Sequence, residues 1–222
     1  LGRAYALLFA NMGAKVVVND LVNPDTVVDE IKKAGGEAVG NKANVLDGAA
    51  VVKTAIDAYG RIDILINNAG ISMRSVFNDT DLDVLRKLMD INFWGTVYCT
   101  KYALPELLRN KGSVVGISSI AGKMGLPART GYSASKFAME GFLETIRTEH
   151  LEDGLHVLVV CPGFTASNIR NTALSCDGRP QGESPRDERI PVSEHAAWMQ
   201  VAALPDRLRE LGADAVICGM AC

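Results

Sequence analysis

The chain has no stretch of about 18 consecutive apolar residues, so no segment of it reads as a membrane-spanning helix. It has no block of Lys and Arg either. Its 23 basic and 26 acidic side chains leave a net charge of −3 in mixed sign, which removes the electrostatic footprint of a nucleic-acid or membrane-surface binder. Cysteines number five, at positions 99, 161, 176, 218 and 222, with neither CxxC spacing nor a histidine pairing. An odd, scattered set argues for thiols in a reducing compartment, and a cytoplasmic location is expected. Histidine is scarcer still: His150, His156 and His195 show no metal-ligand spacing, so no metal site is expected.

What is present suits a globular fold. Of 222 residues, 48% are hydrophobic and 22% charged. A chain of this size buries roughly 70% of its unfolded surface without disulfides or metal. One domain over residues 1–222 is expected. Ala4, Leu7, Leu8 and Ala10 recur at helical spacing before Gly13, and residues 14–19 form a β-branched run of strand length. The order then repeats, with helices over 24–34, 47–59, 81–110 and 132–150 and strands over 37–43, 62–66, 113–117 and 155–161. Uninterrupted apolar strands need cover on both faces. The alternation therefore predicts an α/β fold with a doubly wound, Rossmann-like parallel sheet, whose ligands sit outside the carboxyl ends of the strands. Because the chain opens inside a helix, the sheet is expected to lack its first strand and to expose unpaired edges there. Residues 167–192, rich in Asn, Gly, Pro and charge, read as a substrate loop or lid. Residues 193–222 form an atypical C-terminal segment, helical over 193–211 except at Pro205, with a short last strand over 213–218.

The chemistry begins at Tyr132-Ser-Ala-Ser-Lys136. A spacing of four on a helix puts phenol and ammonium on one face, and the charge of Lys136 would lower the phenol's usual pKa of about 10, fitting Tyr132 for proton transfer. Ser119 follows the strand over 113–117 and can hold a carbonyl or alcohol oxygen in the same cleft. A bare YxxxK, however, describes many ordinary helices. Met73, Met124 and Phe164 are candidates for a substrate pocket, although scattered apolar residues of this kind usually belong to the core.

Further elements accompany it: Asn67-Asn-Ala-Gly70 after a strand, Asn92 within Asp90-Ile-Asn-Phe-Trp-Gly95, and Pro162-Gly163 at the end of another strand. In identity, order and spacing this set resembles the short-chain dehydrogenase/reductase family over about residues 1–170. The resemblance implies a catalytic tetrad of Asn92, Ser119, Tyr132 and Lys136. It also implies that Asn67, Ala69 and Gly70 support a nicotinamide cofactor, that Lys136 holds the nicotinamide ribose, that Asn92 keeps a water on Lys136, and that Pro162-Gly163 turns beside the nicotinamide. Thr165 is a candidate for the carboxamide, or only a local cap.

Leu1-Gly2-Arg3 resembles the end of the family's glycine loop, which would set Gly2 at a helix N-terminus suited to the pyrophosphate. Asp20 ends a strand where a carboxylate would accept from ribose hydroxyls and repel a 2′-phosphate, favouring NAD with NADP not excluded. Asn44-Val45 stands where the family usually has Asp-Val against adenine. The expected function is hydride transfer between NAD and a secondary alcohol or ketone, a small-molecule substrate, by a homodimer or homotetramer. The first part of the chain is similar to hydroxyacyl-CoA dehydrogenase modules, but the substrate class stays open. Two alternatives remain. A non-catalytic nucleotide-binding or regulatory protein would keep the fold without turnover, and an isomerase or epimerase holding NAD tightly would want more than the 60 residues after Pro162.

Overall fold

The computed structural model describes residues 1–163, 165, 167–182 and 215–219, the last group as backbone. Five α/β steps follow one another: α1 (Gly2–Asn11), β1 (Lys15–Asn19), α2 (Pro24–Lys33), β2 (Glu37–Asn41), α3 (Gly48–Tyr59), β3 (Ile64–Asn67), α4 (Leu82–Met89), α5 (Gly95–Arg109), β4 (Ser113–Ile117), α6 (Thr130–Glu149) and β5 (His156–Val160). The final strand, β6 (Ala215–Gly219), comes from the atypical C-terminal segment. All pairings are parallel, in the order β2-β1-β6-β3-β4-β5.

The central place between β1 and β3 is therefore filled. The exposed central edges that the sequence leads one to expect do not occur. β6 pairs Val216 with Val16 on one side and with Ile64 on the other, and Cys218 with Val18 and Ile66. An apolar run, Ala215-Val-Ile-Cys-Gly219, suits a strand paired on both sides within a parallel sheet. The 193–211 helix and residues 183–192 of the expected lid lie outside the described residues, as do Phe164 and His195.

Alternation along each strand divides the core. Val16, Val18, Ile64, Ile66, Val115 and Ile117 face α1 and α2, where Tyr5, Phe9 and Ile31 are buried. Val17, Leu65, Val114 and Val157 face the opposite layer, against Val51 of α3, Leu107 of α5, and Met139 and Leu143 of α6. Asp47 caps α3 by accepting from Ala50 N at 3.1 Å, and Gly60 ends it in the left-handed region at φ 74°. At the start of α3, a Cβ on Gly48 would lie 2.5 Å from the Tyr98 carbonyl carbon and 2.6 Å from Cys99 N, both backbone atoms of α5. Gly48→Ala is thus expected to destabilise by about 1–3 kcal/mol, read as a lower urea midpoint at unchanged slope. An unchanged midpoint would mean that α3 and α5 are not packed this closely.

The single long helix expected over 81–110 is broken. α4 ends at Met89, a π-helical turn covers Asp90–Trp94, and α5 starts at Gly95. Extra-wide turns of this kind rotate one side chain out of helical register, and here it is Asn92 that points inward, fully buried. Past that turn the surface carries Trp94, Tyr98 and Tyr102, spaced by four and 42%, 38% and 51% exposed, and α6 adds Phe137. Among the described residues no helix is long and apolar enough to cross a membrane, and no cluster of His, Cys, Asp and Glu suits a metal ion.

Candidate active site

The carboxyl ends of the strands open on one cleft of about 540 Å³. Its walls run from Gly2 and Asp20 beside β1 to Pro162 and Gly163 after β5, four strand positions apart, or about 19 Å along the sheet. Tyr132 enters from the first turn of α6, 9% exposed, and packs on Met73, Leu88 and Leu174. Met73 is thus core, and Met124 is 58% exposed. Ser119, just beyond β4, adopts an extended backbone, accepts from Ala121 N at 3.2 Å, and hydrogen-bonds the Tyr132 hydroxyl. Lys136, one turn further along α6 and 3% exposed, donates to the Ile117 carbonyl at 2.8 Å, with its Nζ 5.9 Å from the Tyr132 ring centre. β4 ends at Ile117, so that carbonyl is released from the ladder to hold the amine.

Asn92 closes the group from behind. Its Oδ1 accepts from Ile71 N at 2.8 Å, and its Nδ2 donates to Ile71 O and Ser135 Oγ, each at 2.9 Å. It ties the loop after β3 to α6. A Cβ on Gly70 would stand 3.2 Å from Asn92 Oδ1 and 3.4 Å from Lys136 Nζ, so the missing side chain leaves open the space both groups face.

Burial dominates the electrostatics. It pushes the Tyr132 phenol above its usual range, opposed by the Ser119 hydrogen bond and then by the charge of Arg129. It pulls the Lys136 amine down to about 8, opposed by the Glu140 carboxylate one turn below. The sequence expectation of a lowered phenol pKa is corrected here, because burial outweighs the groups that lower it. Arg129, which nothing in the YxxxK pattern singles out, is a further cation acting on the phenol. Glu140 is buried, bonded to Ser118 Oγ at 2.5 Å and to Lys123 at 2.6 Å.

The cofactor candidates divide. Gly2, Asp20, Gly70, Tyr132, Lys136, Pro162, Gly163 and Thr165 line the cleft. Val45, Asn67 and Ala69 instead line a narrow void beneath it, of about 10 Å³, with Asn68 common to both. Asn67 donates to Thr100 Oγ1 at 3.1 Å, which makes it a brace for the turn. Asn44 lines neither space, and its Oδ1 caps the next turn by accepting from Leu46 N at 3.0 Å. Asp20 Oδ1 accepts from Val22 N at 2.8 Å and Asn23 N at 2.9 Å, so the turn-forming role holds whether or not a ribose is present. Thr165 Oγ1 donates to Gly163 O at 3.3 Å, a local cap on the cleft wall. Asn68, Arg129 and Arg170 also line the cleft. Only Asn68 had a signal in the sequence, inside the Asn67-to-Gly70 turn.

Comparison with known proteins agrees with this geometry. The model of the short chain dehydrogenase family matches residues 1–176. The chain belongs to the short-chain dehydrogenase family. It is 47% identical over 163 residues to the peroxisomal hydratase-dehydrogenase-epimerase of Neurospora crassa, covering 73% of this chain and 18% of that protein. It is 39% identical over 176 residues to the 3-oxoacyl-[acyl-carrier-protein] reductase of Synechocystis, covering 76% of this chain and 71% of that one. A short chain dehydrogenase from Mycobacterium avium superposes with a TM-score of 0.69 at 30% identity, over 73% of this chain and 64% of that one. Short-chain dehydrogenases are oxidoreductases using nicotinamide dinucleotides, and the cleft fits such a group: about 19 Å of strand ends, a buried glycine opening α1, and the Cβ-free space at Gly70.

Proposed function

We propose that this short-chain dehydrogenase interconverts a secondary alcohol and a ketone. The observation that carries the reading is the convergence of Ser119, Tyr132 and Lys136, from two different elements, on one face of a cleft long enough for a dinucleotide. A nicotinamide bound beside Pro162 and Gly163 would supply the chemistry of accepting or giving a hydride. The chain itself handles the proton. Ser119 Oγ holds the reacting oxygen, and Tyr132 Oη takes its proton in oxidation and returns it in reduction. Lys136 steadies the tyrosinate and, with Asn92, faces the space over Gly70, where a water would continue the proton path. Because burial raises the Tyr132 pKa, oxidation should accelerate as pH rises through the alkaline range, while reduction holds at neutral pH. A panel of secondary alcohols and ketones, followed by absorbance of the reduced cofactor, tests the reading. Absence of turnover across the panel would overturn it.

Cofactor choice rests on Asp20. A carboxylate at the end of β1 accepts from the ribose hydroxyls and repels a 2′-phosphate, so NAD is the favoured cofactor. Asp20→Ser should lower the kcat/KM ratio of NAD over NADP by about tenfold or more, the equivalent of about 1.4 kcal/mol. A ratio that does not move would remove Asp20 from cofactor selection.

A second copy of the chain is the partner that suits the exposed aromatic residues Trp94, Tyr98 and Tyr102, spaced by four, together with Phe137 on α6, since exposed apolar surface of this kind marks interfaces. Sedimentation should show a dimer or tetramer that Tyr102→Glu together with Phe137→Glu dissociates. A monomeric wild type would contradict this assembly.

A further inference from the structure

At the Tyr132 end the cleft is basic. Among the described residues that line it, Asp20 is the one acidic side chain, and it stands at β1, three strand positions from β4. At the Tyr132 end, Arg129 and Arg170 line the wall. The Arg129 guanidinium is half-buried, and burial lowers its pKa, with the neighbouring charges of Arg74 and Arg170 pulling the same way. Like charges near a half-buried cation favour an anion beside it.

The hydrogen bonds of Arg129 leave room for that guest. Its Nη1 donates to Ser72 Oγ at 2.7 Å and to Met73 O at 2.6 Å, two neutral acceptors that use both N–H bonds of that nitrogen. Among the described residues, Nε and Nη2 have no acceptor. Their three N–H bonds form the planar fork that matches a carboxylate or phosphate. The loop delivering Arg129 is held in an uncommon backbone shape: Ala128 lies in the left-handed region at φ 59°, and its carbonyl accepts from Ser75 N at 3.1 Å. A non-glycine residue in that region persists only where its surroundings impose it. Here the loop sets Arg129 one turn before Tyr132, within electrostatic reach of the phenol.

We propose that the substrate of this enzyme carries an anionic group, a carboxylate or a phosphate, seated on the Nε–Nη2 edge of Arg129 with Arg170 as a second charge. The inference rests on the secondary alcohol reading, which supplies the neighbouring Ser119–Tyr132 pair for the reacting carbonyl. Arg129 acts as a specificity-determining residue.

The test pairs each anion with a neutral counterpart: acetoacetate with its methyl ester, and dihydroxyacetone phosphate with dihydroxyacetone. Each is titrated into the protein by calorimetry and then assayed with NADH. In one pair the wild type should prefer the anion by about 10- to 100-fold in kcat/KM, expressed in KM, as expected for a charge-assisted fork. Which pair responds separates carboxylate from phosphate. Arg129→Gln should reduce that ratio to a few-fold and abolish calorimetric binding of the anion. Arg170→Gln, which leaves the Ser72 and Met73 bonds intact, should reduce the ratio in the same direction, and Arg129→Lys should restore part of it. Equal use of both members of both pairs overturns the proposal while the alcohol reading stands. So does a preference that survives both Gln variants. Arg129-dependent anion binding without reduction of any ketone supports the anion site and overturns the alcohol reading instead.

Discussion

Tyr132→Phe is expected to cut hydride transfer by about 10³-fold while leaving fold and cofactor affinity in place, within the usual 10²–10⁴ range for removing a positioned proton donor. The phenyl ring keeps the contacts with Met73, Leu88 and Leu174, so the buried surface is preserved. What disappears is the hydroxyl bonded to Ser119. Ser119→Ala should cost less, because Tyr132 keeps the proton, but it should also raise the alkaline pKa of the oxidation profile, since the Ser119 bond holds the phenol down. Steady-state assays at several pH values, beside a calorimetric titration with NAD, separate the two effects. A Tyr132→Phe variant with full turnover would remove the tyrosine from the chemistry.

Lys136→Met should abolish turnover and at the same time make the protein more stable at neutral pH. The Lys136 amine is pushed to about 8 by burial, against 10.5 in the unfolded chain. Between those values the unfolded state binds more protons, so the contribution of Lys136 to stability rises with pH from about 8 to about 10.5. Below pH 8 the buried charge costs about 3 kcal/mol, at 1.36 kcal/mol per pKa unit. Methionine removes that cost but orphans the Ile117 carbonyl, a loss of about 1 kcal/mol. A net gain of about 2 kcal/mol at pH 7 should therefore shrink as pH rises, vanish near pH 10 and become a small loss at pH 10.5. Urea denaturation at the two pH values checks both sign and trend. A Lys136→Met protein less stable than wild type at pH 7 would show that the amine is not strained by burial.

These two residues are legible in the sequence because a four-residue helical spacing is a geometric statement in itself. The parallel sheet was equally legible, since runs such as Val16-Val-Val18 and Ile64-Leu-Ile66 can be satisfied only between two layers of helix. Other features have no local signature. The π turn at Asp90–Trp94 lies in a stretch whose periodicity reads as one helix, and its departure from helical register is stabilised by the Asn92 bonds to Ile71 and Ser135, distant in sequence. The last strand reads as a strand, but nothing in Ala215-Val-Ile-Cys-Gly219 says that it would enter between β1 and β3. Pairing partners are a tertiary property. Arg129 escaped for the same reason: a lone arginine before a helix becomes informative only when Arg74, Arg170 and the cleft wall gather around it. Asn44, Val45 and Asn67 show the converse. Their motif positions suggest ligand contact, and in this structure the side chains of Asn44 and Asn67 brace turns while Val45 lines a pocket of about 10 Å³ that shares Asn68 with the cleft.

The central claim is that the substrate's carbon-bound hydrogen passes directly to the nicotinamide while Tyr132 carries the proton. Mass spectrometry of the cofactor after oxidation of the best secondary alcohol of the panel, deuterated at its carbinol carbon, tests this most directly. The account predicts reduced cofactor one mass unit heavier with the wild type and its formation about 10³-fold slower with Tyr132→Phe. Unlabelled reduced cofactor, or labelled cofactor formed at the wild-type rate by Tyr132→Phe, would contradict it.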